Sequence, residues 1–170
     1  ELLKQDRLDL VVGDSRYSPD LEEITVIRMS KQQIAFAVNR DHELARSRKK
    51  LTLADLKSRA TGSPTLPPEL MRSFKEYGLT DFPTLTCDDM RVLVGLAENT
   101  QLIVMVPRLA VAELAGHDTL TALKVSMPFE CYGYPCVMHA RGRTLGPAAT
   151  LVIELVSEWF GLPRSTKRGG

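Results

Sequence analysis

Leu102-Ile103-Val104-Met105-Val106-Pro107 is apolar at every position and leads straight into a segment carrying Leu109, Ala110 and Leu114 ahead of Gly116. A continuous apolar run of this length fits a strand buried on both faces of a sheet. Its proline suits the start of a helix, where the N–H that proline lacks would have no partner in any case. A strand feeding directly into a helix is the repeating unit of an α/β fold, and the neighbouring sequence extends the pattern.

Upstream, Thr84 to Cys87 reads as a strand and Asp88 as the N-cap of a helix through Met90, Leu93, Val94 and Ala97. Before it, Pro67-Pro68 opens a helix in which Leu70, Met71, Phe74 and Tyr77 recur at helical spacing, and Gly78 closes it. Gly62-Ser63-Pro64 is expected to break the chain. Thr52 and Asp55 form a capping-box pattern for a short turn through Leu53 and Leu56.

Leu8 to Val12, stopped by Gly13, is expected to be a strand of a parallel sheet buried on both faces, followed by a loop from Asp14 to Pro19. Further strands are expected at Ile24 to Ile27, Ile34 to Val38, Leu120 to Val125 and Tyr132 to Met138. A last helix, Ala148 to Phe160, places Val152, Leu155, Val156 and Trp159 on one face. The whole is an α/β fold with a parallel sheet and right-handed crossovers.

The 170 residues are 44% hydrophobic and 25% charged, enough for a real core in one domain or two small lobes. With 22 basic and 21 acidic residues the net charge is +1, which excludes a domain-wide positive field for holding DNA. The densest basic run, Arg46, Arg48, Lys49 and Lys50, reads as a solvated loop. Three cysteines, Cys87, Cys131 and Cys136, do not make a disulfide framework and fit a reducing cytoplasm. No apolar run approaches the ~18 residues of a membrane span, so no membrane partner is expected. His42, His117 and His139 have no metal-ligand spacing, and neither a nucleophile elbow nor a phosphate loop occurs. Neither catalysis, nor a metal, nor a cofactor is therefore expected.

Several stretches in order resemble the effector-binding domain of LysR-type transcriptional regulators. They are Leu3-Lys4-Gln5-Asp6-Arg7-Leu8-Asp9-Leu10-Val11-Val12-Gly13, then Asp41-His42-Glu43-Leu44-Ala45 with Glu43 where the family has proline, then Leu51-Thr52-Leu53-Ala54-Asp55-Leu56. The Leu102 to Pro107 strand and the Leu151 to Trp159 helix complete the likeness. Where the family has a Gly-x-Gly turn, this chain has Thr100-Gln101-Leu102.

The resemblance implies a two-lobe fold like type 2 periplasmic binding proteins, with two crossover strands and a small-molecule effector between the lobes. Residues 1–36 and 134–160 would form the first lobe, residues 37–133 the second, with the crossovers at Ile34 to Val38 and Tyr132 to Met138, and 161–170 a flexible tail. It also implies a homodimer or homotetramer in the full-length protein. DNA would be bound only through a winged helix-turn-helix expected upstream of Glu1, together with a linker helix and the first strand and helix of the sensing domain. Without them the chain is expected to expose apolar surface that the intact protein covers.

In open α/β sheets ligands bind beyond the carboxyl ends of strands, where helix N-termini present unpaired N–H groups. The candidate effector residues are therefore Asp14 and Ser15, Gly62, Ser63 and Thr65, and Cys87 and Asp88. Turn and cap chemistry accounts equally for these residue types. An organic anion or a hydroxylated metabolite is the expected ligand class. A solute-binding protein for transport would share the architecture, and an enzyme could be built on it.

The balanced charge leads to a prediction for DNA. Titrated with labelled promoter DNA at low salt, this chain should show no sequence-specific submicromolar binding. Such binding would overturn the assignment.

Overall fold

The structure is a computed structural model that describes residues 2, 3, 5, 7–17, 22–114 and 119–161. The expected stop at Gly116, His117 and the tail beyond 161 lie outside the described residues. The chain divides into two compact units, Glu1–Gln32 with Gly133–Gly170, and Gln33–Tyr132.

The second unit is organised by its innermost strand. Its strands are β3 (Gln32–Asn39), β4 (Leu51–Thr52), β5 (Thr61–Ser63), β6 (Leu85–Thr86), β7 (Ile103–Pro107), β8 (Leu120–Ala122), β9 (Val125–Ser126) and β10 (Tyr132–Gly133). The main sheet runs β10-β3-β7-β5-β6, with β8 also paired to β3. β7 is the doubly buried strand its composition predicts, because alternate residues enter different cores. Ile103 and Met105 join Phe36, Val38, Leu70, Phe74 and Phe82 on one face. Val104 and Val106 join Ala37, Leu93, Val94 and Ala97 on the other.

Helix α1 (Pro68–Glu76) covers the first face. It buries Leu70 and Phe74, and the Phe74 ring packs 4.3 Å from Phe82 and 5.1 Å from Phe129 between centroids. Gly78 follows at φ +89°, a backbone state that closes the helix and that other residues adopt only with strain. Helices α2 (Met90–Asn99) and α3 (Arg108–Leu114) pack on β7, with Leu93, Val94 and Ala97 of α2 in the second core.

The sheet corrects three expectations. It is parallel only across β7-β5-β6, because β3 and β8 run antiparallel to their partners. Gly62-Ser63-Pro64 does not break the chain before Pro64. Thr61–Ser63 is a fully buried strand between two parallel neighbours, and a Cβ on Gly62 would stand 3.2 Å from both Leu93 and Leu102. Finally, Leu120 to Val125 divides into β8 and β9, with β9 leaving the main sheet to pair in parallel with β4.

The Thr100-Gln101-Leu102 turn works without glycine, since Thr100 has an extended φ of −141°. Its hydroxyl donates to the Leu96 carbonyl at 2.6 Å and accepts from the Leu102 N–H at 3.1 Å. Glu43 pairs with Arg59, whose Nε donates to the Asp55 carbonyl at 2.8 Å. Asp55 completes the capping-box pattern by accepting from the Thr52 N–H at 2.9 Å and hydroxyl at 3.1 Å. Hydrogen bonding from Lys49, with that from Thr52, draws the Asp55 carboxyl down to about 2.

In the first unit, β1 (Val11–Asp14), β11 (Pro135–Ala140) and β2 (Ile24–Arg28) form an antiparallel sheet in that order. Leu8 to Val12 is therefore not a parallel strand buried on both faces. It begins at Val11, continues through Gly13, and leaves Val12 45% exposed. The expected strand Tyr132 to Met138 divides into β10 and β11. Helix α4 (Pro147–Phe160) packs on β11 and buries Ala149, while Val152, Leu155 and Trp159 of its apolar face are exposed. No helix among the described residues is long and apolar enough to cross a membrane.

His42 is buried and structural. Its Nδ1 accepts the Leu44 N–H at 3.0 Å, so the neutral ring is the species that fits. Burial, reinforced by the nearby Arg59 guanidinium, lowers its pKa. The unfolded chain takes up this proton near pH ~6.5 and the folded chain only at lower pH. This contribution to stability is therefore complete above that pH and lost as pH falls through the window below it. Melting temperature should drop between about pH 7 and 5, and the His42→Gln variant should lack that component of the slope. Identical slopes for the two proteins would refute this role.

Candidate functional site

The parallel register of β5 and β6, Gly62 opposite Leu85 and Ser63 opposite Thr86, makes the residues after both strands emerge side by side. Reciprocal bonds fasten the start of the pair. Thr84 Oγ1 accepts the Thr61 N–H at 2.8 Å and donates to the Thr61 carbonyl at 2.8 Å. At the other end the Cys87 N–H donates to the Ser63 carbonyl at 3.0 Å. Two of the three predicted loops are thereby brought together.

Asp88 clasps Thr65 across this junction. Its two carboxylate oxygens accept from the Thr65 N–H at 2.7 Å and the Thr65 hydroxyl at 3.1 Å. Asp88 is therefore not the N-cap of α2, as its position suggested. That cap is Asp89, which accepts from the Arg91 and Val92 N–H groups at 2.9 and 3.3 Å. An N-cap must stand immediately before the first helical residue, here Met90, and this leaves Asp88 free to reach the neighbouring loop.

The remaining members of the cluster differ in accessibility. Thr65 and Asp88 are exposed, and Cys87 is half-buried with its Sγ 3.7 Å from the Asp89 carbonyl. Ser63 is fully buried, and its hydroxyl donates to the Pro64 carbonyl at 2.8 Å. Gly62 lies beneath, packed on leucine side chains. Ser63 and Gly62 shape the floor, whereas Thr65 and Asp88 present polar atoms at the surface.

The electrostatics differ from those expected of two open helix N-termini. Helix α1 begins at Pro68, which has no N–H, and its Leu70 and Met71 N–H groups both turn back to the Pro67 carbonyl. In α2, Asp89 already occupies the exposed donors, and Asp88 occupies those of Thr65. The junction carries two adjacent carboxylates where a bare N-terminus would favour an anion. A hydroxyl-bearing molecule can donate to Asp88 or replace it on Thr65, whereas a carboxylate ligand must displace a like charge.

In the first unit, Asp14 ends β1 and Ser15 opens a short 3-10 helix, Ser15–Tyr17. Burial raises the Asp14 carboxyl, but hydrogen bonds from Arg16 and the Tyr134 N–H outweigh it and hold the group below its ordinary range. Arg16 donates to it through Nε at 2.9 Å and Nη2 at 2.7 Å, and the Tyr134 N–H at 3.0 Å. Ser15 donates its N–H to the Tyr134 carbonyl at 2.9 Å.

Among the described residues no cluster could hold a metal ion. The three cysteines are free thiols, with Cys131 and Cys136 buried and burial raising the pKa of Cys136. The Asp88–Thr65 and Thr61–Thr84 pairs escape sequence reasoning, since each joins positions 23 apart and no local spacing signals them.

The family described as the LysR substrate binding domain matches residues 1–161. No curated protein matches the chain. Among solved structures, HinK, a LysR family transcriptional regulator from Pseudomonas aeruginosa, aligns with a TM-score of 0.69 at 18% identity, over 94% of this chain and 55% of its own. The effector binding domain of QuiR, in complex with shikimate, aligns with a TM-score of 0.70 at 18% identity, over 94% of this chain and 75% of its own. The regulatory domain of Synechocystis PCC6803 CcmR, in complex with 2-PG, aligns at 0.64 and 12% identity, over 94% and 77%. This chain spans little more than half the length of relatives such as HinK.

Proposed function

Because the chain belongs to the LysR substrate binding domain family, we propose that it is the effector-sensing part of a longer bacterial transcription regulator. The family favours this reading over a solute-binding protein for transport or an enzyme. The longer protein binds DNA through a winged helix-turn-helix elsewhere in its sequence and assembles as a homodimer or homotetramer. It works in the cytoplasm, a compartment that suits three free thiols.

The effector is a small hydroxylated metabolite bound where β5 and β6 end. The Asp88–Thr65 clasp carries this assignment, since it gathers exposed donors and acceptors at the strand ends where α/β sheets bind ligands. Gly62, Ser63 and Cys87 hold the loops in place, and Thr65 and Asp88 make the contacts. In the first unit the Asp14-Ser15 pair is a further candidate through the Ser15 hydroxyl, Asp14 being engaged by Arg16 and Tyr134. Opening or remaking the clasp on binding links the loop before α1 to the start of α2, so a ligand preferring one arrangement shifts the population between them.

A screen of hydroxylated metabolites by thermal unfolding tests this. A ligand at about a hundred times its dissociation constant should add roughly 2.7 kcal/mol of stability. Thr65→Ala combined with Asp88→Ala should remove most of that gain, whereas Ser157→Ala on α4 should leave it. A stabilising ligand whose effect survives the double substitution would show that it binds elsewhere.

A further inference from the structure

The short parallel pair β4 and β9 aligns Leu51 with Val125 and Thr52 with Ser126. One step back along the same register stand Lys50 and Lys124, so two lysines from distant parts of the chain occupy neighbouring backbone positions, with adjoining strands about 4.8 Å apart. Both line a recess of about 550 Å³, together with Arg48, Lys49 and the hydroxyl residues Ser47 and Thr121. No aspartate or glutamate lines it, and its floor is the apolar Leu44, Leu51 and Leu123.

The acids near this basic run serve other cations. Arg46 is paired with Asp41, and Lys49 with Asp55. The side chains of Arg48, Lys50 and Lys124 make no hydrogen bond or ion pair among the described residues. Like charges held side by side in a sheet destabilise it, and in a chain whose net charge is only +1 such a concentration is a local feature. An external anion is its natural counter-charge.

We propose that this recess binds a small phosphate-bearing anion, distinct from the effector at the ends of β5 and β6. Its volume falls within the roughly 300–1,000 Å³ of small-molecule sites. Lysine supplies point charges to phosphate oxygens, and the Arg48 guanidinium can engage two of them at once.

The test is titration of the isotopically labelled full chain with inorganic pyrophosphate at ~150 mM salt, where unspecific surface attraction is screened. Saturable amide shifts should be confined to residues 44–51 and 121–125. Lys50→Gln with Lys124→Gln should weaken binding about tenfold. Lys50→Arg with Lys124→Arg should keep it, as should Thr65→Ala with Asp88→Ala. The charge-matched control Arg72→Gln with Lys75→Gln, on α1, should also leave it unchanged. Shifts that never saturate, or equal weakening in the control, would overturn the proposal. Tighter binding of a random DNA duplex at the same residues would overturn it too, by assigning the surface to nucleic acid.

Discussion

The second unit depends on how closely β5 can lie beneath α2. A Cβ at Gly62 would meet the side chains of Leu93 and Leu102 at 3.2 Å, tighter than ordinary packing, so glycine lets the strand lie fully buried between β6 and β7 without displacing those leucines. From that position the chain can leave Ser63 toward α1 while the neighbouring strand leaves Thr86 toward α2. The two exits are then near enough for Asp88 to take both polar hydrogens of Thr65. The candidate site lies one layer above this close packing.

Long-range apolar organisation was legible where one strand serves two cores. The Leu102 to Pro107 run, α1 with its proline start and glycine stop, and the Thr52–Asp55 pattern each carry their signal in consecutive residues. β5 was not legible, because Gly-Ser-Pro has turn chemistry and only two flanking parallel strands make it extended. The face of α4 was legible as a face, but not its surroundings. Helical spacing identifies which residues are apolar together, not whether anything covers them, and Leu151, Leu155 and Trp159 are each more than half exposed.

At the candidate site the Cys87-Asp88 turn was legible from the strand and helix on either side of it, and the Gly62 to Thr65 stretch only from the helix that follows, but neither reading gave their chemistry. Open helix N-termini suggested an anion, whereas two consecutive aspartates divide the available donors between them, Asp89 on α2 and Asp88 on Thr65. Which aspartate takes which task follows from a helix boundary one residue further on than expected. Of the two expected ligand classes, an organic anion and a hydroxylated metabolite, that one-residue difference favours the second. The Glu43–Arg59 and Lys49–Asp55 ion pairs, linked by the Arg59 bond to the Asp55 carbonyl, are likewise contacts that only the fold brings together.

The most direct measurement is a crystal structure of the chain with a stabilising hydroxylated metabolite. A ligand oxygen is expected within about 3 Å of the Thr65 amide or hydroxyl, or of the Asp88 carboxylate, with the bond between those two residues opened or shared. A ligand bound away from the ends of β5 and β6, with the Asp88–Thr65 clasp intact and untouched, would contradict it.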